Sequence, residues 1–425
     1  MAVFRGGLMA LCLALYLPAV SVPAAAAPPK AEAAPVKLDA ARIRRALADM
    51  VESGRAAGVS ALVWQGGKER FFGTAGFADR EAKRPMARDT LVQIWSMTKP
   101  VTGVALMQLW EEGRFRLDDP VGDHLPEFRT MRVAAAGAPE RPAARAITIR
   151  DLMRHTAGLA YGMRDGPADA AFRKADPLNL QNDLAEAVRG IAGLPLLSDP
   201  GLEWSYSASV DVQAALVEKL TGEPFETYVR GRILTPLKMR DTGWTQPPAA
   251  LARLAATYQR TGEGPLVRQA DEQTRARNFS PRRLTMGGAG LVSSIDDYMR
   301  FARMLLNDGA LDGARILRPS TVRLMATDHL DPAMKERFFL PSKGNVGFGF
   351  NFAVRTGRPT TAEENRGAVG EFFWDGAAST LFWVDPANDL AAVFFVQSLP
   401  FDGTLHRDIR QAVYGPSYLG PRGND

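Results

Sequence analysis

Cysteine and histidine are scarce in this 425-residue chain, which contains one cysteine and four histidines. The cysteine, Cys12, lies in an N-terminal segment that we expect to be removed, so the mature protein has no thiol for a disulfide or for catalysis. His124, His329 and His406 do not have the spacing of metal ligands, and neither a His-Glu-x-x-His motif nor a phosphate-binding glycine loop occurs. The sequence therefore predicts neither a metal site nor a cofactor.

Long apolar runs and strongly charged runs are also missing. The formal net charge of +5 is small for a chain of this size, and no run of Lys and Arg is interleaved with aromatic residues, so nucleic-acid binding has little support. The apolar run at residues 8–20 is too short to span a bilayer. It follows Arg5 and precedes the alanines of residues 24–27, an order that is typical of a secretory signal peptide.

We expect cleavage of this segment near Ala26, and therefore export to the periplasm or secretion, with no stable membrane span afterwards. Retention of the segment as an uncleaved anchor is the alternative. The residues that follow, 27–37, are rich in Ala and Pro, which favours a flexible tether. The folded part is then expected to begin near residue 38.

Strand-forming segments lie near both ends of the chain, and helical segments lie between them. Residues 59–73 favour a hairpin, whereas residues 118–283 have the pattern of helices joined by Pro/Gly loops. Within that block, residues 161–177 are polar and are expected to form a loop that walls the pocket. Further predicted elements are a helix capped by Ser294, strands at residues 347–354, 379–384 and 390–397 and a short helix at residues 408–414.

This order predicts an α/β (α+β) fold in which one antiparallel sheet, built from both chain ends and flanked by helices, carries an all-helical inserted subdomain. The predicted parts are a signal peptide (1–26), a flexible Ala/Pro tether (27–37), an α/β subdomain (38–117 and 284–425) and a helical subdomain (118–283).

The segment that points most clearly to catalysis is Ser96-Met97-Thr98-Lys99, which runs into an apolar stretch with helical periodicity. Residues i and i+3 share one face of a helix, so Lys99 is expected one turn above Ser96. A serine hydroxyl is a poor nucleophile until a base takes its proton. Lysine can be that base only where burial and positive dipoles lower its pKa towards neutrality. The alternative is a surface serine and lysine on an ordinary helix.

A Ser/Lys pair also needs a second group to relay the proton and donors for the oxyanion. Tyr206 is a candidate relay, because it lies just before a predicted helix that starts at Ser209. The small-residue turn that follows Trp374-Asp375 is a candidate source of backbone donors. No Gly-x-Ser-x-Gly elbow competes for the role of nucleophile.

The order Ser-Met-Thr-Lys, Trp-Ser-Tyr-Ser and Trp-Asp-Gly resembles the β-lactamase-related serine hydrolases. These include class C β-lactamases, D-Ala-D-Ala peptidases and family VIII carboxylesterases. The resemblance covers residues 39–397 and implies a β-lactamase-like fold. Other stretches that look like the same family are Leu-Asp-Asp-Pro-Val (117–121), Leu-Met-Arg-His-Thr-Ala-Gly-Leu (152–159), Gly-Ala-Gly-Leu-Val-Ser (288–293) and Phe-Trp-Val-Asp-Pro (382–386).

The resemblance also implies roles for individual residues. Ser96 would become acylated and Lys99 would activate it, while Tyr206 would shuttle protons and activate the deacylating water. The backbone N–H groups of Ser96 and Ala377 would hold the oxyanion. Trp374, Asp375 and Gly376 occupy the third motif of the family and are candidate substrate contacts. His155 is interpreted as a structural residue.

Two departures from the family pattern indicate the substrate. The third motif of lactamases and peptidases usually begins with a cation that helps to hold the substrate carboxylate, whereas Trp374 and Asp375 supply an indole and a negative charge. Lactamases also carry Asn two residues after the tyrosine, where this chain has Ala208, which can neither donate nor accept with its side chain. The site therefore suits a neutral acyl ester better than a carboxylated lactam, although an arginine from elsewhere could replace the missing cation.

The sequence thus predicts an exported serine hydrolase, most consistent with a carboxylesterase that acts on small or medium acyl esters. One alternative keeps the machinery and changes the substrate, giving a β-lactamase, a D-amino-acid peptidase or an acyltransferase. The other alternative is a non-catalytic penicillin-recognising envelope protein.

Overall fold

The computed structural model describes residues 36–135, 137–361 and 363–419. The predicted signal peptide and all but the last two residues of the predicted tether lie outside the described residues. None of the helices in the described ranges is long and apolar enough to cross a membrane.

Helices and strands alternate along the described chain. The helices are α1 (Ala40–Glu52), α2 (Thr98–Glu111), α3 (Val121–His124), α4 (Ile149–Met153), α5 (Pro167–Ala175), α6 (Leu184–Ala192), α7 (Ser209–Thr221), α8 (Phe225–Val229), α9 (Asp271–Asn278), α10 (Ile295–Leu306), α11 (Pro319–Met325) and α12 (Gly403–Tyr414). The strands are β1 (Gly58–Gln65), β2 (Lys68–Asp79), β3 (Arg84–Pro85), β4 (Leu91–Gln93), β5 (Arg132–Ala135), β6 (Ala138–Pro142), β7 (Tyr258–Gln259), β8 (Val267–Arg268), β9 (Val292–Ser294), β10 (Ala310–Leu311), β11 (Ala314–Arg315), β12 (Val346–Phe348), β13 (Ala353–Arg355), β14 (Phe372–Asp375), β15 (Leu381–Asp385), β16 (Leu390–Val396) and β17 (Ser398–Leu399).

The main sheet joins the two ends of the described chain. Its eight strands lie in the order β12-β13-β14-β15-β16-β1-β2-β3, and each neighbouring pair is antiparallel. Strand β1 pairs with β16 from Val59–Val396 to Gln65–Leu390. It pairs with β2 through a two-residue turn in which Gly66 and Gly67 have φ values of 60° and 74°, as a tight hairpin requires. The predicted sheet built from both chain ends is confirmed.

Helices cover both faces of this sheet. Successive side chains of a strand point to opposite faces, and on β15 Phe382 packs against Tyr298 of α10 (5.1 Å between ring centroids) while Trp383 donates a hydrogen bond to the hydroxyl of Tyr414 of α12 (3.1 Å). Helix α1 packs beside α12. Helix α10 begins as predicted after Ser294, whose side chain accepts a hydrogen bond from the N–H of Asp297.

The segment predicted to be all-helical is only mainly helical. It contains the antiparallel hairpin β5–β6 and the short strands β7 and β8. Strand β7 pairs in parallel with β17, which follows the last strand of the main sheet. The inserted segment is therefore tied by backbone hydrogen bonds to the C-terminal part of the chain, a contact that local periodicity does not reveal.

Three predicted elements differ from the observed ones. Residues 347–354 form two strands rather than one, because the N–H of Gly349 bonds to the carbonyl of Phe352 and reverses the chain. The final helix begins earlier than predicted, at Gly403, where Asp402 caps it. The predicted loop at residues 161–177 contains helix α5, which begins with a proline at its first position.

Candidate active site

Ser96 lies in a single turn of 3-10 helix, Trp95–Met97, that leads directly into α2. Trp95 has a left-handed backbone (φ 49°), which turns the chain sharply from β4 into the helix. Ser96 itself is half-buried, whereas the first twelve residues of α2, Thr98–Leu109, are all buried. A helix that is apolar on every side belongs to a protein core. The serine is thus the accessible end of a rigid central element.

Lys99 points back along this helix to the serine. Its Nζ lies 3.2 Å from Ser96 Oγ and donates to the carbonyl oxygen of Gly288 at 2.7 Å. The side chain is 1% exposed, and this burial lowers the pKa of Lys99 to about 7, although the carboxylates of Asp211 and Asp375 act in the opposite direction. A substantial fraction of the amine is therefore neutral near pH 7 and can accept a proton.

Tyr206 lies against the same lysine. Lys99 Nζ is 4.5 Å from the centroid of the Tyr206 ring, and the Trp374 indole N–H donates to the Tyr206 hydroxyl at 3.3 Å. Burial raises the pKa of Tyr206 above its usual range, and hydrogen bonds with Ser96 and Trp374 oppose this shift. Tyr206 is therefore a protonated phenol at neutral pH, suited to donate a proton and to pass one on.

The third motif separates its two large side chains. Trp374 is buried among aromatic rings, 5.4 Å from Tyr206 and 5.3 Å from Phe348. Asp375 points elsewhere, into an ion pair with the buried Lys343, and His406 Nδ1 lies 4.0 Å from its carboxylate. The negative charge that distinguishes this motif is therefore balanced by a lysine from another segment.

Gly376 and Ala377 bring the end of β14 against the turn that carries the serine. A Cβ atom at Gly376 would lie 2.5 Å from the carbonyl oxygen of Ile94 and 2.2 Å from Thr380 Oγ1, so only glycine allows this approach. The next residue, Ala377, is exposed, and its N–H has no acceptor within the described part of the chain. A free backbone donor beside a nucleophile is the arrangement that an oxyanion requires.

Three residues that were not predicted complete the surroundings of Lys99. The Tyr161 hydroxyl lies 3.5 Å from Lys99 Nζ, and Asp211 accepts a hydrogen bond from the N–H of Gly288 at 3.0 Å. A Cβ atom at Gly288 would lie 2.8 Å from the Asp211 carboxylate and 3.3 Å from Lys99 Nζ. Gly288 lies in a segment that resembles the family and Tyr161 lies beside another, so the resemblance could have pointed to both as site residues. Asp211 lies inside an apolar helix, and no feature of the sequence pointed to it.

His155 contacts this group without reaching the serine. Its ring lies 4.9 Å from the Tyr206 ring, and its Nδ1 is 3.3 Å from Ser207 Oγ. Burial, assisted by the charge of Lys99, holds the pKa of His155 well below its usual range. His155 was predicted to be a structural residue, and in the structure its ring packs against the segment that carries Tyr206. Among the described residues, no cluster of His, Cys, Asp and Glu could hold a metal ion.

The comparison with known families agrees with this arrangement. The sequence model of the Beta-lactamase family matches residues 43–414. The chain belongs to the beta-lactamase family. Its membership places it in the serine hydrolase superfamily, as predicted, and the β-lactamase-like fold class is confirmed by the match to solved structures.

Similar proteins match most of this chain. Protein Rv1367c of Mycobacterium tuberculosis is 38% identical over 86% of the chain and 91% of its own length. Esterase EstB of Burkholderia gladioli is 31% identical over 88% of the chain and 95% of its own length. The solved structure of EstCE1, described as a hydrolase with promiscuous acyltransferase activity, is 28% identical, covers 88% of the chain and 98% of its own, and has a TM-score of 0.73.

Proposed function

We propose that this protein is an exported serine hydrolase that forms an acyl-enzyme at Ser96 and acts as a carboxylesterase on small or medium acyl esters. The observation that carries the proposal is the 3.2 Å contact between Lys99 Nζ and Ser96 Oγ, in a site where burial lowers the pKa of Lys99 to about 7. Similarity to an esterase over almost the whole chain supports the choice of ester.

In the proposed mechanism, neutral Lys99 takes the proton of Ser96 while Oγ attacks the ester carbonyl. The tetrahedral oxyanion accepts hydrogen bonds from the backbone N–H groups of Ser96 and Ala377. The phenol of Tyr206 gives its proton to the departing alkoxide and regains one from Lys99. Water then attacks the acyl-enzyme, and the same groups act in reverse to release the acid and restore Ser96.

Hydrolysis of p-nitrophenyl butyrate tests this proposal. We expect the purified mature protein to hydrolyse it, and Ser96→Ala to lower kcat by at least about 10³-fold, because without Oγ no acyl-enzyme forms. The control is Ser53→Ala, which removes an exposed hydroxyl at the end of α1 and should retain full activity. Undiminished activity of a folded Ser96→Ala protein would refute the mechanism.

Acyl transfer to an alcohol is a second candidate, favoured by the acyltransferase activity of the similar protein EstCE1. The chemistry differs only in the acceptor, since an alcohol would replace water in the second half-reaction. Adding butanol to the ester assay and measuring the butyl ester formed per acid released distinguishes the two. Nitrocefin in the same assay tests the lactam alternative, and rapid hydrolysis of it would contradict the ester assignment.

Export is a proposal from the pattern of residues 1–26 alone. We expect the protein in the periplasmic or secreted fraction, with a mass that corresponds to cleavage near Ala26. A full-length protein in the cytosolic fraction would contradict export without affecting the proposed chemistry.

A further inference from the structure

An arginine with no carboxylate partner among the described residues lies against Trp95, the residue before the nucleophile. Arg277, near the end of α9, places its guanidinium carbon 4.9 Å from the ring centroid of Trp95, the residue before Ser96. Its one side-chain hydrogen bond within the described residues is a weak one, from Nη1 to Met286 Sδ at 3.8 Å. No carboxylate of the described chain forms an ion pair with it, although it is half-buried.

A second arginine in the same region, Arg282, also forms no ion pair with any carboxylate in the described ranges. Arg282 donates from Nη1 to the backbone carbonyl of Arg277, and its Nη2 is buried without a hydrogen-bond partner among the described residues. Burial lowers the pKa of Arg282 to about 10, and the positive charge of Arg277 contributes to that shift. By contrast, Arg253 makes a two-point contact with Asp241, at 2.9 and 2.6 Å. Partly buried cations are normally paired, because desolvation of an unpaired charge is costly.

The first of these arginines lies close to groups that contact Lys99. Burial raises the pKa of Tyr161 well above its usual range, and the nearby charge of Arg277 opposes this shift; the Tyr161 hydroxyl lies 3.5 Å from Lys99 Nζ. The Arg277 guanidinium also touches Met286, which stands two residues before the carbonyl that binds Lys99. The guanidinium therefore lies among Trp95, Tyr161 and the 286–288 segment, which together border Ser96 and Lys99.

We propose that Arg277, assisted by the charge of Arg282, binds a carboxylate group of the substrate, so that the preferred substrates are esters that carry a negative charge. This inference rests on the proposed function. A guanidinium fork matches the two oxygens of a carboxylate, and a half-buried site strengthens the contact. Asp375 does not oppose such a substrate, because Lys343 already balances its charge.

Paired esters test the inference. Mono-p-nitrophenyl glutarate carries a carboxylate in its acyl part, and p-nitrophenyl isoheptanoate has an isopropyl group of similar shape in its place. On the alcohol side, m-carboxyphenyl butyrate is compared with neutral m-acetylphenyl butyrate. For each pair the measured quantity is the ratio of kcat/KM for the charged ester to kcat/KM for the neutral one.

We expect the wild-type ratio to favour the charged ester in one of the two pairs, which identifies the side that carries the carboxylate. Arg277→Gln should lower that ratio by about 10- to 100-fold, the range for loss of a charge-assisted hydrogen bond, mainly through KM. Arg277→Lys should retain part of the preference. Arg275→Gln, an exposed position on the same helix, is the matched control and should leave both rates unchanged.

A purely structural role for Arg277 would lower both rates equally and leave the ratio unaltered, and that result would overturn the inference while the esterase proposal stood. Binding to the Ser96→Ala protein gives a test that does not need turnover. Calorimetry should show that mono-p-nitrophenyl glutarate, or m-carboxyphenyl butyrate if the alcohol side is preferred, binds at least about tenfold more weakly after Arg277→Gln is added. Equal affinity with and without Arg277 would refute the inference even if no ester were hydrolysed.

Discussion

An ordinary lysine is charged at neutral pH and cannot accept a proton, so the chemistry of Lys99 depends on its surroundings. The side chain is 1% exposed, and burial brings its pKa to about 7 against the pull of two carboxylates. Since only the neutral amine can act as base, kcat/KM is expected to rise with pH, with a midpoint near pH 7 and a plateau above it.

Asp211→Asn tests this assignment at the residue scale. The Asp211 carboxylate stabilises the charged form of Lys99 and so raises its pKa. In the structure the N–H of Gly288 donates to the Asp211 carboxylate at 3.0 Å. The asparagine side chain keeps an oxygen that can accept this hydrogen bond but carries no charge. The pKa of Lys99 should fall, so the midpoint of the pH profile of kcat/KM should move to lower pH.

The exposed Asp123 on α3 provides the control for this measurement, because Asp123→Asn changes the net charge of the protein by the same amount at a position outside the site. Its profile should coincide with that of the wild type. A midpoint that moves to higher pH in Asp211→Asn would contradict the role of Lys99 as the titrating base.

At the scale of elements, the short helix α4 positions the segment that leads to Tyr161. A five-residue helix has little intrinsic stability, and this one is held by a capping box. The Thr148 hydroxyl accepts from the N–H of Asp151 at 3.2 Å, and the Asp151 carboxylate accepts from the N–H of Thr148 at 3.0 Å.

Thr148→Ala removes half of this capping box. We expect the free energy of unfolding, measured by urea denaturation, to fall by about 1 kcal/mol, because the N–H of Asp151 loses its acceptor. Thr148→Ser retains the hydroxyl and should remain within about 0.5 kcal/mol of the wild type. Equal losses in both variants would show that the methyl group, not the cap, stabilises the helix.

Helix α5 shows why the element at residues 161–177 was mispredicted as a loop. The Asp169 carboxylate accepts from the backbone N–H groups of Tyr161 and Gly162 and, at 3.1 Å, from that of Arg164. The turn before the helix is thus stabilised by a side chain within it. Helical periodicity reports an apolar face, and the buried residues of α5 are Ala168, Asp169 and Phe172, of which only Phe172 is both large and apolar.

At the scale of the whole molecule, one buried carboxylate links the sheet to α12. Glu371 accepts from Arg355 of β13 at 3.0 Å and from Arg410 of α12 at 2.7 Å. All three side chains are at most 1% exposed. Two buried guanidinium groups therefore depend on one negative charge for their compensation.

Glu371→Gln is expected to lower the free energy of unfolding by about 3–5 kcal/mol, because it removes the one carboxylate among the described residues that forms an ion pair with either buried cation. Glu226→Gln is the comparison, since it breaks a pair with exposed Arg230 (2.9 Å) and should cost less than about 1 kcal/mol. Denaturant unfolding measures both. Similar losses in the two variants would show that the buried network does not stabilise the fold.

Much of the architecture could be predicted because it depends on local patterns. The hairpin around Gly66 and Gly67, the cap at Ser294 and the sheet drawn from both chain ends all follow from side-chain alternation, turn residues and helical periodicity. The pairing of β7 with β17 was not predictable in this way, because the two strands are far apart in the sequence and each has only two residues.

The spacing of Ser96 and Lys99 was determined by the sequence alone, since residues three apart on a helix are neighbours wherever that helix lies. Tertiary structure decided the rest of the site. It buried Lys99, paired Asp375 with Lys343, and left Arg277 without a carboxylate partner among the described residues. Desolvation and Coulomb energies depend on distances between segments that are remote in the chain, and those distances exist only after the whole chain has packed.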